Sequence, residues 1–384
     1  MEKNDHFYRS GEYLLKIPGA KREHMSILLK SSLKTIARFA KGYLYEGFHE
    51  KHAREAAGIL KGIEHQRGNI QNHDKKRCDE YATEVLGHKH FAPWLYVYTV
   101  ISGQFKEGWI PDNYYASVVV PKIKGEYGKM SSLNTLNTAL FQSDSFPDVL
   151  SYANGVFFDK KYQFVPKEDA ESVIFGDQDR AVFKLDSSLQ GKGIHIVTRD
   201  TFRTDHIQKL GNGIFQRYIN QHGVFEKFTK DSVATLRITT MYEDNGEVSV
   251  RASYLRFGTG DDTYVKSKTH IRVPIDVKTG TFYDVGYTAD WNMVKKHPTS
   301  KLPFAGNRIP NFKSCIDTVK KLHRKVPFTR CVGWDISVDI EENVQIIEWN
   351  AGHNGIKFSE PIQGPCFADL GWEKLAKEPD RKGK

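Results

Sequence analysis

Residues 331–350, CVGWDISVDIEENVQIIEWN, decide the fold. Val332, Trp334, Ile336, Val338 and Ile340 alternate, and Val344, Ile346, Ile347 and Trp349 follow a polar turn, which predicts a hairpin of two core strands. A two-residue turn at Glu342 and Asn343 would pair Glu341 with Val344, Asp335 with Asn350 and Ser337 with Glu348. Asp335, Ser337, Glu348 and Asn350 then share one face, while Trp334, Ile336, Ile347 and Trp349 fill the other. Oxygen-bearing side chains in such a row are either a solvated face or a seat for a hard cation.

Working upstream, DRAVFKLDSSLQGKGIHIVT places Lys184 on a strand, a Gly-rich loop from Ser187 to Gly193, and a second strand. Glycines let backbone N–H groups approach phosphate, and a lysine supplies a point charge to its oxygens. An ordinary hairpin turn is the other reading, and the loop is no Walker A motif, since GKG lacks the following hydroxyl and leads to a strand. In VATLRITT, Arg237 shares a face with Thr235 and Thr239. An arginine among apolar and β-branched neighbours calls for an anionic partner, because burying it alone is costly.

Further out, AVFKLD, GIHIVT, GIFQRYI, VATLRITTMYE, GEVSVRASYLRFG, HIRVPIDV, GTFYDVG and the two strands of the opening stretch read as mostly antiparallel strands, with a helix between 311 and 325. Residues from about 25 to 87 read as helical. Within them GFHEKHAREAAG sets His49, His52 and Glu55 three apart, a spacing better read as solvated helix surface than as a metal site. The aromatic segment FAPWLYVYTVISGQFKEGWIPDNYY reads as a packed junction. The fold class is α+β, with an N-terminal helical region over 1–115 and two further regions over 116–222 and 223–384.

The 384 residues suffice for two or three structural units, and 39% hydrophobic with 27% charged residues is an ordinary globular balance. An excess of 56 Lys and Arg over 47 Asp and Glu gives a net charge of +9, which favours acidic partners. No basic and aromatic stripe marks a nucleic-acid surface. Cys78, Cys315, Cys331 and Cys366 are too scattered for a disulfide framework or a zinc module. Without a signal-like or membrane-spanning run the chain is expected to be cytoplasmic, with a basic stretch over 16–34 suited to peripheral contact with a membrane's inner face.

The ordered set FKLDSSLQGKGIHIV, QRYINQH, TLRITT, YLRFG, VGWDISVD and IIEWNAGH resembles the ATP-grasp superfamily, in its sugar-transfer-associated branch, over roughly residues 95 to 372. That resemblance implies two α+β lobes clasping ATP, with Lys184 on the phosphates under a loop holding Ser187, Ser188, Gly191 and Gly193. It implies adenine at Gln216, Arg217, Tyr218 and Ile219, ribose near Gln221 or His222, and Mg²⁺ on Asp335, Glu348 and Asn350. Arg237 would stand near the transferred phosphate or the acyl substrate. The sequence departs from the family around the first-lobe lysine, where Lys129 and Lys122 are candidates. It departs again after YLRFG, where Lys266, Lys268 and His270 are candidate substrate contacts or solvated loop.

The resemblance implies carboxylate–amine ligation through an acyl phosphate, joining an amine or amino acid to an acidic sugar or glycan precursor in surface polysaccharide synthesis. A kinase of a sugar or alcohol, and a non-catalytic scaffold for sugar-transfer machinery, are the alternatives.

Overall fold

The computed structural model describes residues 44–187, 193–260 and 269–378. Ser188, Gly191, Lys266, Lys268 and the basic stretch 16–34 lie outside them. The chain divides into Met1–Lys51, whose described residues 44–51 are helical, and His52–Lys384, which holds all that follows.

The second unit begins with helices over 52–67, Asn72–Glu80 and Ala92–Ser102. Pro93 starts the last of these rather than breaking it, because the first turn needs no N–H from that position. Gly103, at φ 82°, ends it in the left-handed conformation. Trp94, Leu95, Tyr98, Trp109, Tyr114 and Tyr115 are fully buried there, so the aromatic segment is the expected packed junction.

Six strands make the first sheet: β1 (Asp148–Ala153), β2 (Val156–Phe158), β3 (Phe164–Val165), β4 (Arg180–Leu185), β5 (Ile194–Thr198) and β6 (Gly213–Arg217), in the order β3-β2-β1-β6-β4-β5. The second sheet holds β7 (Thr235–Tyr242), β8 (Val248–Phe257), β9 (Ile271–Pro274), β10 (Gly286–Tyr287), β11 (Met293–Val294), β12 (Cys331–Val338) and β13 (Val344–Asn350), in the order β11-β10-β9-β8-β7-β12-β13. Every pairing among the described residues is antiparallel. The chain is thus α+β, as expected, although β1, β2, β3 and β11 had no clear alternation to announce them.

Each sheet has one face in a core. Phe183, Phe215, Ala181 and Val197 of the first pack with Ile174, Phe175 and Ile207. On the second, Leu236, Ile238, Trp334, Ile336, Ile346 and Trp349 pack against Phe312, Cys315, Val319 and Leu322 of the amphipathic helix Phe312–His323. The other face of the first sheet meets the second at β13, while Ala252, Tyr254, Tyr287 and Cys331 on the second sheet's other face pack into the core of the preceding helices.

The hairpin register corrects the sequence expectation. Val338 pairs with Val344, so the turn has five residues, not two. Asp339 builds it, accepting the N–H groups of Glu341 at 3.0 Å and Asn343 at 2.8 Å, while Glu342 sits at φ 62°. A bulge then follows: Ile336 pairs with Ile346 and Asp335 with Glu348, leaving Ile347 as the extra residue. Asp335 therefore faces Glu348, and Gly333, not Asp335, faces Asn350. Ile346 takes the core position expected of Ile347. The turn lengthens and the bulge adds a residue, so Asp335, Glu348 and Asn350 still share a face and Trp334 still stacks near Trp349, with centroids 6.3 Å apart.

Candidate functional site

Alternation puts Lys184, Val182, Ile194, Ile196 and Gln216 on the first sheet's open face, since Lys184 pairs with Ile194 and Val182 with both Ile196 and Gln216. Lys184 is buried, and its Nζ donates to the carbonyl of Ile347, 2.8 Å away on the second sheet. The bulge explains why that carbonyl faces the first sheet, because the extra residue falls out of the ladder. Gln216 reaches the same carbonyl at 3.4 Å and Asp148 at 2.7 Å, and Asn137 donates to Asp148 while accepting from Trp349 Nε1. This continuous polar network joins the sheets. Burial raises the Asp148 carboxyl to about 6, against the pull of Gln216, Asn137 and Lys184.

On the second sheet Asp335 is the hub. Arg237 Nε and Nη2 donate to its two oxygens at 2.6 and 2.9 Å, and Arg256 Nη2 lies 2.7 Å from Oδ1. Burial would raise this carboxyl, but the two guanidinium groups hold it well below the usual range. Arg237 Nη1 continues to the Asn354 carbonyl at 2.6 Å. Glycine at position 333 leaves room for this contact: a Cβ there would stand 3.0 Å from both Arg237 Nη1 and Asn354 Cβ, so both would have to give way.

Glu348 and Asn350 lie beside this hub. Asn350 Nδ2 is 3.0 Å from Glu348 Oε1 and 3.3 Å from Asp335 Oδ2. Burial and the Asp335 charge raise the Glu348 carboxyl, which Lys184 partly counters. For Lys184 the order is the same, burial lowering its pKa and Glu348, Asp148 and Asp335 opposing. Glu348 and Asn350 could hold a hard cation between them once the Asn350 amide turns to present its oxygen beside Glu348 Oε1. Asp335 differs from the expectation of an equal ligand, because both its oxygens are engaged by arginines.

The other expected residues fall as follows. Ser187, at φ 57°, and Gly193 flank the Gly-rich segment, and Ser187 N donates to Ser132 O at 2.6 Å. Gln216 and Arg217 end β6, and the Tyr218 peptide exchanges two hydrogen bonds with the Gln178 side chain, at 3.1 and 3.2 Å. Arg180 stacks 3.6 Å over the Tyr218 ring, and both line a cavity of about 600 Å³ with Thr198 and Asn220. Ile219 follows directly.

Gln221 is not placed for a ligand: it is buried and bonded to the backbones of Thr229, Ser232 and Ala234. His222 Nδ1 caps the short helix after it by accepting from Val224 N. Of the candidate first-lobe lysines, Lys129 pairs with exposed Glu126 in a segment whose Ser131 Oγ accepts from Ala351 N, next to Asn350, and Lys122 donates to the carbonyls of Leu375 and Glu378. His270 is half-buried just before β9. The solvated reading holds for Glu55, which is exposed and pairs with Lys357 at 2.6 Å, but not for His52, which accepts from Trp94 Nε1 at 3.2 Å.

Sequence reading missed Asp148, Asn137 and the apolar shelf of Val182, Ile194 and Ile196, of which Ile196 is 41% exposed. It also missed Lys124, which is buried with Nζ 2.7 Å from Gly352 O and 2.8 Å from Asn354 Oδ1, and which burial lowers to about 8. An exposed isoleucine on the same sheet face as a buried lysine, one strand pair along, is a signal of a cleft; the lysine in KIKGEYGK had none.

Comparison with known proteins bears out the resemblance. Residues 207–366 match the family described as sugar-transfer associated ATP-grasp. No curated protein matches the chain. Similar solved structures include the ADP complex of N5-carboxyaminoimidazole ribonucleotide synthetase, at 11% identity and TM-score 0.36 over 62% of this chain and 52% of that one. The ATP-grasp ligase PsnB with its minimal precursor matches at 12% and 0.38, covering 67% and 64%. The biotin carboxylase domain of Hydrogenobacter thermophilus 2-oxoglutarate carboxylase, with MgADP and bicarbonate, matches at 12% and 0.39, covering 66% and 47%. The chain thus spans about half the length of the first of these. Among the described residues, no helix is long and apolar enough to cross a membrane.

Proposed function

We propose that the protein is an ATP-dependent carboxylate–amine ligase whose nucleotide lies between the two sheets and whose acyl substrate is an acidic sugar or glycan precursor. The observation that carries this is the convergence of Lys184 from one sheet with Glu348, Asn350, Asp335 and Arg237 from the other. In this reading the regions 116–222 and 223–384 are the two lobes. Val182, Ile194 and Ile196 give the purine an apolar floor, with the cavity beside Tyr218 at its far end. Lys184 has three N–H donors, and the Ile347 carbonyl takes one, leaving the others for phosphate oxygens. The Gly-rich loop that follows Ser187, whose own N–H goes to Ser132 O, would bring backbone N–H groups to the same phosphates.

Glu348 and Asn350 would hold Mg²⁺, which when bound neutralises charge on the phosphates. Asp335 acts through Arg237: it fixes that guanidinium by a two-point contact, so its positive charge is in place before negative charge develops. A substrate carboxylate oxygen attacks the γ-phosphorus and the bond to the β-bridging oxygen breaks, releasing ADP. An amine nitrogen then attacks the acyl carbon, the C–O bond to phosphate breaks, and the amine proton goes to the departing phosphate. Exclusion of water between the sheets protects the acyl phosphate.

Hydroxylamine trapping tests the proposal. A uronic acid, MgATP and hydroxylamine should give a hydroxamate in proportion to ADP, whereas a phosphorylated sugar alcohol without hydroxamate would establish the kinase instead.

A further inference from the structure

Arg256 and Arg272 are direct cross-strand partners on β8 and β9, on the same face as Arg237 and Asp335. Like charges in that relation destabilise a sheet unless an anion separates them. Arg256 has Asp335, at 2.7 Å, which it shares with Arg237. For Arg272 no carboxylate among the described residues lies within ion-pairing distance, although it is only 7% exposed. Its guanidinium is held between the rings of Trp291 and Phe358, 4.4 and 4.5 Å from their centroids, and Nη2 donates to the carbonyls of Thr288 at 2.8 Å and Ala289 at 3.3 Å. The Nε atoms of both Arg256 and Arg272 are buried without a hydrogen-bond partner. Burial lowers the Arg272 pKa to about 10, with Arg256 adding to it and Tyr254 and Asp290 opposing.

A desolvated, uncompensated cation costs several times what an exposed one does, and such costs are kept where a ligand removes them. We infer that Arg256 and Arg272 form a second anion subsite, which receives a carboxylate or phosphoryl group of the acceptor other than the one that reacts. The pair lies on the β8–β9 side of Asp335, away from β13, so an anion held there is distinct from a group reacting beside Glu348. The acceptor is therefore at least doubly anionic, as a sugar acid bearing a phosphate is. This rests on the reading of the cleft as a nucleotide site.

The test is calorimetric titration of the full chain with inorganic phosphate and, separately, D-glucuronate, at ionic strength held constant with chloride, before and after saturation with MgADP. Wild type should bind at least one of them saturably with MgADP in place, and Arg272→Met should weaken that binding at least about tenfold, the worth of one charge-assisted hydrogen bond. The tighter probe assigns the group as phosphoryl or carboxylate. No saturable binding by wild type, or equal binding by wild type and Arg272→Met, overturns the inference. If Arg272→Met does not fold, Arg256→Gln provides the same comparison at a more exposed position. Failure of MgADP to bind would sink the nucleotide reading instead, and anion binding that depends on Arg272 would still be measured without it.

Discussion

The Nζ of Lys184 and the carbonyl oxygen of Ile347 meet at 2.8 Å, across two sheets and 163 residues of chain. One is a buried cation on β4 and the other the extra residue of the β13 bulge, so the bulge and the lysine each account for the other's position.

Lys184→Met should therefore have two separable effects. Loss of the hydrogen bond lowers stability by about 1–3 kcal/mol, readable in a urea unfolding curve. Affinity for an ATP analogue should fall at least about tenfold, from loss of the charge at the phosphates.

Asp335→Asn leaves Arg237 and Arg256 sharing a neutral partner in a buried site. Breaking such a pair from one side costs about 3–5 kcal/mol. Combining Asp335→Leu with Arg237→Met should recover part of that loss, because one of the two stranded charges is gone. An additive double mutant, measured by chemical unfolding, would contradict the coupling.

His323 is buried, with Nδ1 2.7 Å from Thr240 Oγ1, and burial, with Lys124 and Arg330 adding to it, pushes its pKa down to about 3. The folded chain thus binds this proton less readily than the unfolded chain. Its contribution is complete above the unfolded value near 6.5 and falls as pH drops toward 3. His323→Gln should flatten that part of the stability curve between pH 6.5 and 4, measured by thermal unfolding.

Glu348 has a raised pKa, through burial and then Asp335, so it takes up a proton at higher pH than a free glutamate. Magnesium-dependent nucleotide binding should accordingly weaken on acidification before ordinary carboxylates titrate. In Glu348→Gln the residual binding should lose that pH dependence, which binding isotherms from pH 5 to 8 would reveal.

Much of this arrangement is legible in the order of the residues. The alternation through Trp334 and Trp349 gives the hairpin, and the shared face of Asp335, Glu348 and Asn350 is found in the structure. The register is not legible, because the bulge at Ile347 is stabilised by a lysine far away in sequence, and no local pattern reports it. The five-residue turn had a local signal in Asp339, whose carboxylate caps two backbone N–H groups. The family resemblance makes Asp335 a metal ligand, and only the packing of β7 and β8 shows its two arginines. Lys124 and Arg272 were hidden for a simpler reason: burial of a charged residue comes from elements that cover it, and those lie elsewhere in the chain.

The most direct test of the account is calorimetric titration of a non-hydrolysable ATP analogue, with and without Mg²⁺, into the wild type and Glu348→Ala. Magnesium-dependent binding in the wild type that the substitution removes is the predicted result. An intact, folded wild type that binds no nucleotide, or binds it equally well after Glu348→Ala with Mg²⁺ present, would contradict a nucleotide site at this hairpin.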